Sequence, residues 1–304
     1  MISAIVLSMN NGDTLDACLK SVVDSLPCDK EVIVVDGHST DNTPSILAKY
    51  KDKVKVVYDE GKGLGLARNL GAENASYDII AFVDSDVICA KDHFQKILDC
   101  FTAHPDVGGV DTAGIHPQTG SKVQQLESLL YATIEREFPS QPAMRGWCLS
   151  FRRSVWKAVG GFWRTGSDDG DFSYKVREAG FKLASVETES WHVPRRSMLG
   201  VLKEMKLWGR NVAYFYYKWG NHPLLVQDIS KGKMSRLLRN ARITTFVAYL
   251  AAPVTGVRYY LKTKRLSLYL YFIVRQYAHL LGFMRGNLDI AFSSPRFVGV
   301  IREA

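Results

Sequence analysis

No C-x-x-C spacing occurs among the five cysteines, Cys18, Cys28, Cys89, Cys100 and Cys148, and their number is odd. That excludes a disulfide framework and a structural zinc site, and it fits reduced thiols in a cytosolic compartment. The opening residues, MISAIVLSMNNGD, lack the basic stretch and long apolar core of a secretory signal, so none is expected. The first apolar run leads into Met9-Asn10-Asn11-Gly12, so a G-x-G-x-x-G dinucleotide fingerprint is missing where it would stand. The chain has no internal repeat and no low-complexity tract.

What is present is globular in composition. The 304 residues are 46% hydrophobic and 23% charged, too apolar for a disordered chain and long enough for one large domain or two smaller ones. The net charge of +8 is unevenly spread. Residues 1–194 carry 20 Lys and Arg against 27 Asp and Glu, a net −7, whereas residues 195–304 carry 19 against 4, a net +15. A basic segment of that strength points to nucleic acid or an anionic membrane surface.

The front of the chain alternates strands and helices. Ile2–Ser8 is an apolar run suited to a buried strand. Leu15, Cys18, Leu19, Val22, Val23 and Leu26 then recur at helical spacing, with Asp13 as the expected N-cap. Strands are expected at 31–35, ending at Asp36, at 54–58, and at 78–83, ending in Asp84-Ser85-Asp86. Helices are expected after Asp41, with Pro44 in the first turn, and over 66–75 behind the glycines at 61, 63 and 65. This alternation predicts a parallel sheet covered by helices, whose ligands bind beyond the carboxyl ends of the strands. Asp36, Asp84 and Asp86 fall there. An aspartate pair at a strand end either holds Mg²⁺ or Mn²⁺, which take oxygen ligands, or is a turn with two solvated acids.

Six motifs follow in order: Val34-Val35-Asp36-Gly37-His38-Ser39-Thr40-Asp41, Gly65-Leu66-Ala67-Arg68-Asn69, Phe82-Val83-Asp84-Ser85-Asp86, Phe151-Arg152-Arg153, Gly160-Gly161-Phe162 and Asp168-Asp169-Gly170-Asp171. In this series, over about residues 1–195, the chain resembles the family 2 glycosyltransferases, inverting enzymes that use nucleotide-diphosphate sugars. The resemblance implies the α/β GT-A fold, a Rossmann-like, mostly parallel sheet with flanking helices. It puts Asp36 and Arg68 beside the nucleotide, Asp84 at the ribose or the water shell of the metal, and Asp86 on the Mn²⁺ or Mg²⁺ itself. It makes Asp169 the general base, with Asp168 beside it where the family usually has glutamate. Gly160 and Gly161 would let backbone approach the donor sugar. His192 completes the metal site in several similar enzymes, and Arg195 and Arg196 would grip the diphosphate or face lipid headgroups. Each has a structural alternative. Asp36 can form an Asx turn, Arg68 can lie on a helix surface, the acids at 168–171 can simply open a helix, and Trp147 can be core rather than a sugar platform.

The back of the chain is basic and apolar together. Ser197 is expected to cap a helix to about Trp219. Its stripe of Leu199, Leu202, Met205, Trp208, Val212, Phe215 and Trp219 suits either a membrane interface or a protein core. Lys231, Lys233, Arg236, Arg239 and Arg242 lead into 15 uncharged residues at 243–257, interrupted by Pro253. As a helix these reach about 22 Å, short of a bilayer core of about 30 Å. Residues 266–284 include Arg275 and His279. Two re-entrant or interfacial helices are expected, with a spanning hairpin as the alternative. Nucleic acid as partner would explain the charge but not these apolar stretches.

The expected organisation is a catalytic domain at 1–195, an amphipathic basic helical region at 196–242, and apolar helices with a tail at 243–304. The expected function is metal-dependent, inverting transfer from a nucleotide-diphosphate sugar donor to a hydroxyl of a lipid-linked saccharide at the cytoplasmic face of a membrane. A polyprenyl-phosphate acceptor, a sugar-phosphate nucleotidyltransferase and a non-catalytic membrane-binding module are the alternatives. The second of these usually carries a glycine-rich basic loop after the first strand, and Met9-Asn10-Asn11-Gly12 offers none.

Overall fold

A computed structural model of the chain describes residues 1–27, 31–59, 61, 63–137, 143–164, 167–230 and 241–293. The chain divides into two compact units. The first comprises Met1–Ile115, Gln141–Arg164 and Asp168–Val193, and the second His116–Ser140, Thr165–Ser167 and Pro194–Ala304.

In the first unit, strands β1 (Ile2–Ser8), β2 (Glu31–Asp36), β3 (Lys55–Tyr58), β4 (Ile79–Asp84), β6 (Val107–Ala113), β7 (Cys148–Arg152) and β8 (Lys182–Glu187) form one sheet. Its order is β3-β2-β1-β4-β7-β6-β8. Strands β1 to β4 pair in parallel, β7 runs against both β4 and β6, and β8 is parallel to β6. A mostly parallel sheet is covered on both faces, which is why β1 and β2 read as unbroken apolar runs. Ala4 and Val6 pack with Leu15, Leu19 and Val22 of α1 (Gly12–Ser25). Their neighbours Ile5 and Leu7 point the other way, into a cluster with Ala67, Phe162 and Phe172. The second cluster is centred on aromatics, with the Phe162 and Phe172 rings stacked at 4.3 Å.

The expected strands and helices appear with small shifts. The helix behind the glycines is α3 (Leu64–Asn74) and takes Gly65 into its first turn. A Cβ on Gly65 would sit 1.7 Å from the Trp163 carbonyl oxygen, so only glycine lets this helix start there. Asp13 is not the N-cap of α1. It lies in the first turn, where the helix dipole favours an acid, and Asn11 holds the cap position. The orphan amide of Gly12 is satisfied by Asp41 Oδ2 at 2.9 Å, from the loop before α2 (Thr43–Lys49). A short ladder, β5 (Val87–Ile88) with β9 (Trp191–His192), and helix α4 (His93–Ala103) extend the unit. Helices α6 (Arg153–Ala158) and α7 (Asp168–Glu178) complete it.

The second unit is helical. It holds α5 (Lys122–Glu137), α8 (Met198–Trp219), α9 (Pro223–Ser230), α10 (Ala241–Leu250), α11 (Ala252–Thr263) and α12 (Leu266–Phe292). Ser197 caps α8 as expected, accepting from Gly200 N at 3.2 Å. The apolar stripe of α8 is mainly core. Met205, Phe215 and Trp219 are buried, while Leu199 and Trp208 remain exposed. Residues 243–257 are not one helix, because the chain breaks at Ala251, and Pro253 opens α11 where its missing N–H costs nothing. Arg275 and His279 point inward. Arg275 donates to Glu127 Oε1 at 2.9 Å and to Tyr131 at 2.8 Å, and His279 Nδ1 meets the Tyr249 hydroxyl at 2.6 Å. Burial and the Arg275 charge push His279 down to about 4. Among the described residues no helix is long and apolar enough to cross a membrane. Lys231, Lys233, Arg236 and Arg239 lie outside the described residues, while Arg242 stands over the Tyr217 ring at 5.1 Å.

α8 and α12 touch backbone to backbone through glycines. A Cβ on Gly209 would lie 1.9 Å from the His279 carbonyl oxygen, and one on Gly282 would lie 1.9 Å from that of Lys206. Gly282→Val therefore has to push the helices apart. Overpacking of this kind costs about 1–3 kcal/mol, which chemical denaturation should read as a lower midpoint. An unchanged midpoint would contradict the close crossing.

Candidate active site

The parallel register builds the site. Ser8 aligns with Asp36 and Leu7 with Asp84, so the ends of β1, β2 and β4 present both carboxylates at one edge of the sheet. Asp36 is buried and accepts from Ser39 Oγ at 2.6 Å and Ser39 N at 3.0 Å, three positions on. The loops after β1 and β2 are knitted together. Asn10 N donates to Ser39 Oγ, and Thr40 N donates to Asn10 Oδ1, each at 2.8 Å. His38, at φ 54°, stacks on Tyr58 with 5.4 Å between ring centres.

Arg68 is no surface arginine. Its side chain is 2% exposed, and its guanidinium stands 5.9 and 5.7 Å from the ring centres of Phe82 and Phe162. It hydrogen-bonds Asp168, donates to the Gly146 carbonyl at 3.0 Å and approaches Asp84 Oδ1 at 3.8 Å. Burial alone would lower its pKa, and the carboxylates of Asp168, Asp84 and Asp169 more than offset that. Charge is therefore retained at Arg68 in a desolvated position.

The three acids of the first turn of α7 have separate surroundings. Asp168 is taken by Arg68, and Asp171 pairs with Lys175 at 3.0 Å. Among the described residues Asp169 has no ion pair. Its Oδ1 accepts from Gly170 N at 2.8 Å, and its Oδ2 would lie 2.7 Å from a Cβ on Gly146. Burial and the neighbouring Asp168 raise its pKa against the pull of Arg68. A carboxylate with a raised pKa and no bound cation is suited to accept a proton.

Asp86 and His192 meet although 106 positions separate them. The β5/β9 ladder pairs Val87 with His192, and His192 Nε2 lies 3.1 Å from Asp86 Oδ1. Asp84 is partly exposed. Burial and the Asp86 charge push its pKa up to about 7, opposed by Arg68 and His192. Among the described residues no three His, Cys, Asp or Glu side chains close around one point tightly enough to hold an ion. Asp86 and His192, with Asp84 two positions earlier as the last residue of β4, are instead an open donor set. Mg²⁺ is commonly held by one or two carboxylates with water and substrate phosphate filling the rest, and Mn²⁺ also takes imidazole. The residues fit a divalent ion of that kind, completed by a diphosphate.

Gly160 and Gly161 both have positive φ, 76° and 73°. Gly160 faces open space, whereas a Cβ on Gly161 would lie 2.6 Å from Asn69 Oδ1. Asn69 pins this turn by accepting from Phe162 N at 2.8 Å and Trp156 Nε1 at 3.1 Å. Trp147 is half-buried, and its carbonyl receives Asp84 N at 3.0 Å. Arg195 and Arg196 fall in the second unit, exposed. Arg195 Nε pairs with Glu204 at 3.1 Å, and the Arg196 carbonyl accepts from Ser121. Sequence reasoning missed the role of Asn69, and it missed Arg145, which donates to Asp111 at 2.7 Å beside Gly146. It also missed Cys148, 3.2 Å from His93 Nε2. These partners lie 34 to 93 positions apart, and no local pattern announces such pairs.

The family model "Glycosyl transferase family 2" matches residues 3–160. A poly-beta-1,6-N-acetyl-D-glucosamine synthase of Staphylococcus aureus (strain MSSA476) is 24% identical over 240 residues, 75% of this chain and 56% of its own length. Validoxylamine A glucosyltransferase of Streptomyces hygroscopicus subsp. limoneus is 26% identical over 232 residues, 64% of this chain and 51% of its own. The chain thus spans about half the length of these curated relatives. Among solved structures, a mannosyltransferase from Pyrobaculum calidifontis in complex with GDP-mannose and Mn²⁺ superposes with a TM-score of 0.64 at 19% identity, covering 95% of this chain and 87% of that one. Glucosyl-3-phosphoglycerate synthase from Mycobacterium tuberculosis, in complex with Mg²⁺ and UDP, gives 0.50 at 18% identity, covering 71% and 78%. These likenesses establish the fold.

The buried Arg68–Asp168 pair makes a quantitative demand. Removing one partner leaves the other charged and unpaired, at a cost of about 3–5 kcal/mol. Arg68→Met and Asp168→Leu should each lower stability by that order, and the double variant should lose less than their sum by about 1–3 kcal/mol. Strictly additive losses in chemical denaturation would contradict the pairing.

Proposed function

The chain belongs to glycosyl transferase family 2, and from that premise we propose that it transfers a sugar, with inversion, from a nucleotide-diphosphate donor to a hydroxyl of a lipid-linked saccharide. The reaction uses Mn²⁺ or Mg²⁺ and takes place at the cytoplasmic face of a membrane. The observation that carries the proposal is the convergence of Asp36, Asp84, Asp86 and His192, with Asp169 on the neighbouring helix, at the carboxyl edge of a parallel sheet.

Each group has a chemical task. Asp36, whose carboxylate keeps lone pairs beyond those used by Ser39, accepts the imide N–H of the base. Asp86 and His192 would hold the divalent ion, with Asp84 on its water shell or the ribose. Such an ion would offset the charge that develops on the departing diphosphate. Gly160, open and without a Cβ, leaves room for the donor sugar. Arg68 stabilises Asp168 and thereby fixes the first turn of α7, so that Asp169 is the carboxylate that remains available as base. As the acceptor oxygen bonds to the anomeric carbon, the bond from that carbon to the diphosphate oxygen breaks. The acceptor proton passes to Asp169 and the nucleoside diphosphate leaves.

The need for a base favours a hydroxyl acceptor. A lipid phosphate is already largely ionised near neutral pH and has no proton to lose, whereas a sugar hydroxyl does. The +15 charge of residues 195–304 supports an anionic surface as the place of action.

Two variants test this. Asp169→Asn should lower the transfer rate by about 10²–10⁴-fold, the usual worth of general-base catalysis, and leave donor affinity nearly unchanged. Asp86→Ala should abolish metal-dependent donor binding with little change in melting temperature. Wild-type transfer by Asp169→Asn, or preference for bare polyprenyl phosphate over a lipid-linked sugar, would contradict the hydroxyl acceptor. Undiminished Mn²⁺-dependent binding by Asp86→Ala would contradict the metal assignment.

A further inference from the structure

Helix α12 is apolar on two sides. Its inward side carries Leu268, Tyr271, Phe272, Ala278 and Phe283, all buried. On the outward side Leu270, Val274, Tyr277, Leu281, Met284 and Leu288 follow one another at steps of four and three, and all are exposed. From Leu270 to Leu288 this stripe runs about 27 Å along the helix. Apart from the Tyr277 hydroxyl, the only polar groups that α12 exposes are Ser267 and Arg285. The neighbouring helices repeat the pattern, with Ile243, Phe246 and Leu250 on α10 and Val254, Val257 and Leu261 on α11. Val254 is 76% exposed and Leu281 55%. Soluble monomers rarely leave apolar patches of this extent in water.

Charge selects the occupant. Lys203 and Lys206 are exposed on α8, which packs on α12. Arg258, Lys262, Lys264 and Arg265 are exposed on and just after α11. A second copy would bring a further +15 against the first. A layer of anionic headgroups over hydrocarbon satisfies both features at once, taking the cations at the surface and the stripe below it. The orientation follows from the inward side. There Arg275 is paired with Glu127, and Asp289 with Arg210 at 2.7 Å, so lipid cannot surround the helix.

We infer that the outward stripe of α12, with those of α10 and α11, is a monotopic lipid-binding face that lies flat on an anionic bilayer. This rests on, and deepens, the proposal of action at a membrane.

The test uses the full chain with vesicles of phosphatidylcholine, alone or with phosphatidylglycerol at about a third of the lipid. The wild type should sediment with the anionic vesicles and only weakly with the neutral ones. A variant carrying Leu270→Gln, Val274→Asn, Leu281→Gln and Leu288→Gln should partition at least about tenfold less, since each change removes buried apolar area. Its circular dichroism should be unchanged. A second variant, Lys203→Glu with Lys206→Glu, leaves the stripe intact and should lose the preference for anionic vesicles. Wild-type protein that stays in the supernatant, or stripe-variant protein that binds as well as wild type, overturns the assignment. So does a wild-type dimer that the four substitutions disperse without any vesicle binding, since the face would then belong to a second copy. Donor hydrolysis measured without lipid reports on the transferase site separately. Vesicle binding without any donor turnover would uphold this face and count against the proposed reaction.

Discussion

The candidate site depends on one buried ion pair. Arg68 and Asp168 stand 100 positions apart in sequence and are both almost fully removed from water. Desolvating two charges costs several kcal/mol each, and only a close, hydrogen-bonded partner offsets it. Arg68 spends its donors on Asp168 and the Gly146 carbonyl and leans toward Asp84. One guanidinium thus ties α3, the start of α7, the loop before β7 and the end of β4 to one another. The surrounding phenylalanines, Phe82 and Phe162, exclude the water that would weaken these bonds.

From that anchor the division of labour among the acids follows. Asp168 is held by the Arg68 guanidinium and is not left to face another group. Its neighbour Asp169 feels the Asp168 charge and its own burial, and its pKa rises. At the other side of Arg68, Asp84 and Asp86 share a strand end with too little positive charge to balance them, which favours a cation there.

The GT-A fold was legible in the first half of the chain because strands buried on both faces leave continuous apolar runs, such as Ile2–Ser8 and residues 31–36. Asp36, Asp84 and Asp86 were legible because they end such runs. What escaped was long-range. The nearness of His192 to Asp86 came only from the family resemblance, since the two-residue strands β5 and β9 that bring them together carry no period. The cap of α1 comes from Asp41 on another loop and not from Asp13. The burial of Arg68 could not be read from α3, since its partner lies a hundred residues on. The stripe of α8 looked the same whether it faced lipid or helix. The glycines Gly209 and Gly282, which let α8 and α12 touch, decide for a helix and leave the outward side of α12 as the unpartnered face.

The most direct test of the account is thermal stability of the full chain against a panel of nucleotide-diphosphate sugars, with and without Mn²⁺. The account predicts that Mn²⁺ and the true donor together raise the unfolding midpoint. At a donor concentration about a hundredfold above Kd, the gain is about 2.7 kcal/mol. Omitting the metal or cleaving the diphosphate from the donor should remove most of it. A chain that no nucleotide sugar stabilises, with Mn²⁺ or with Mg²⁺, would contradict the assignment of the strand-end carboxylates to donor and metal.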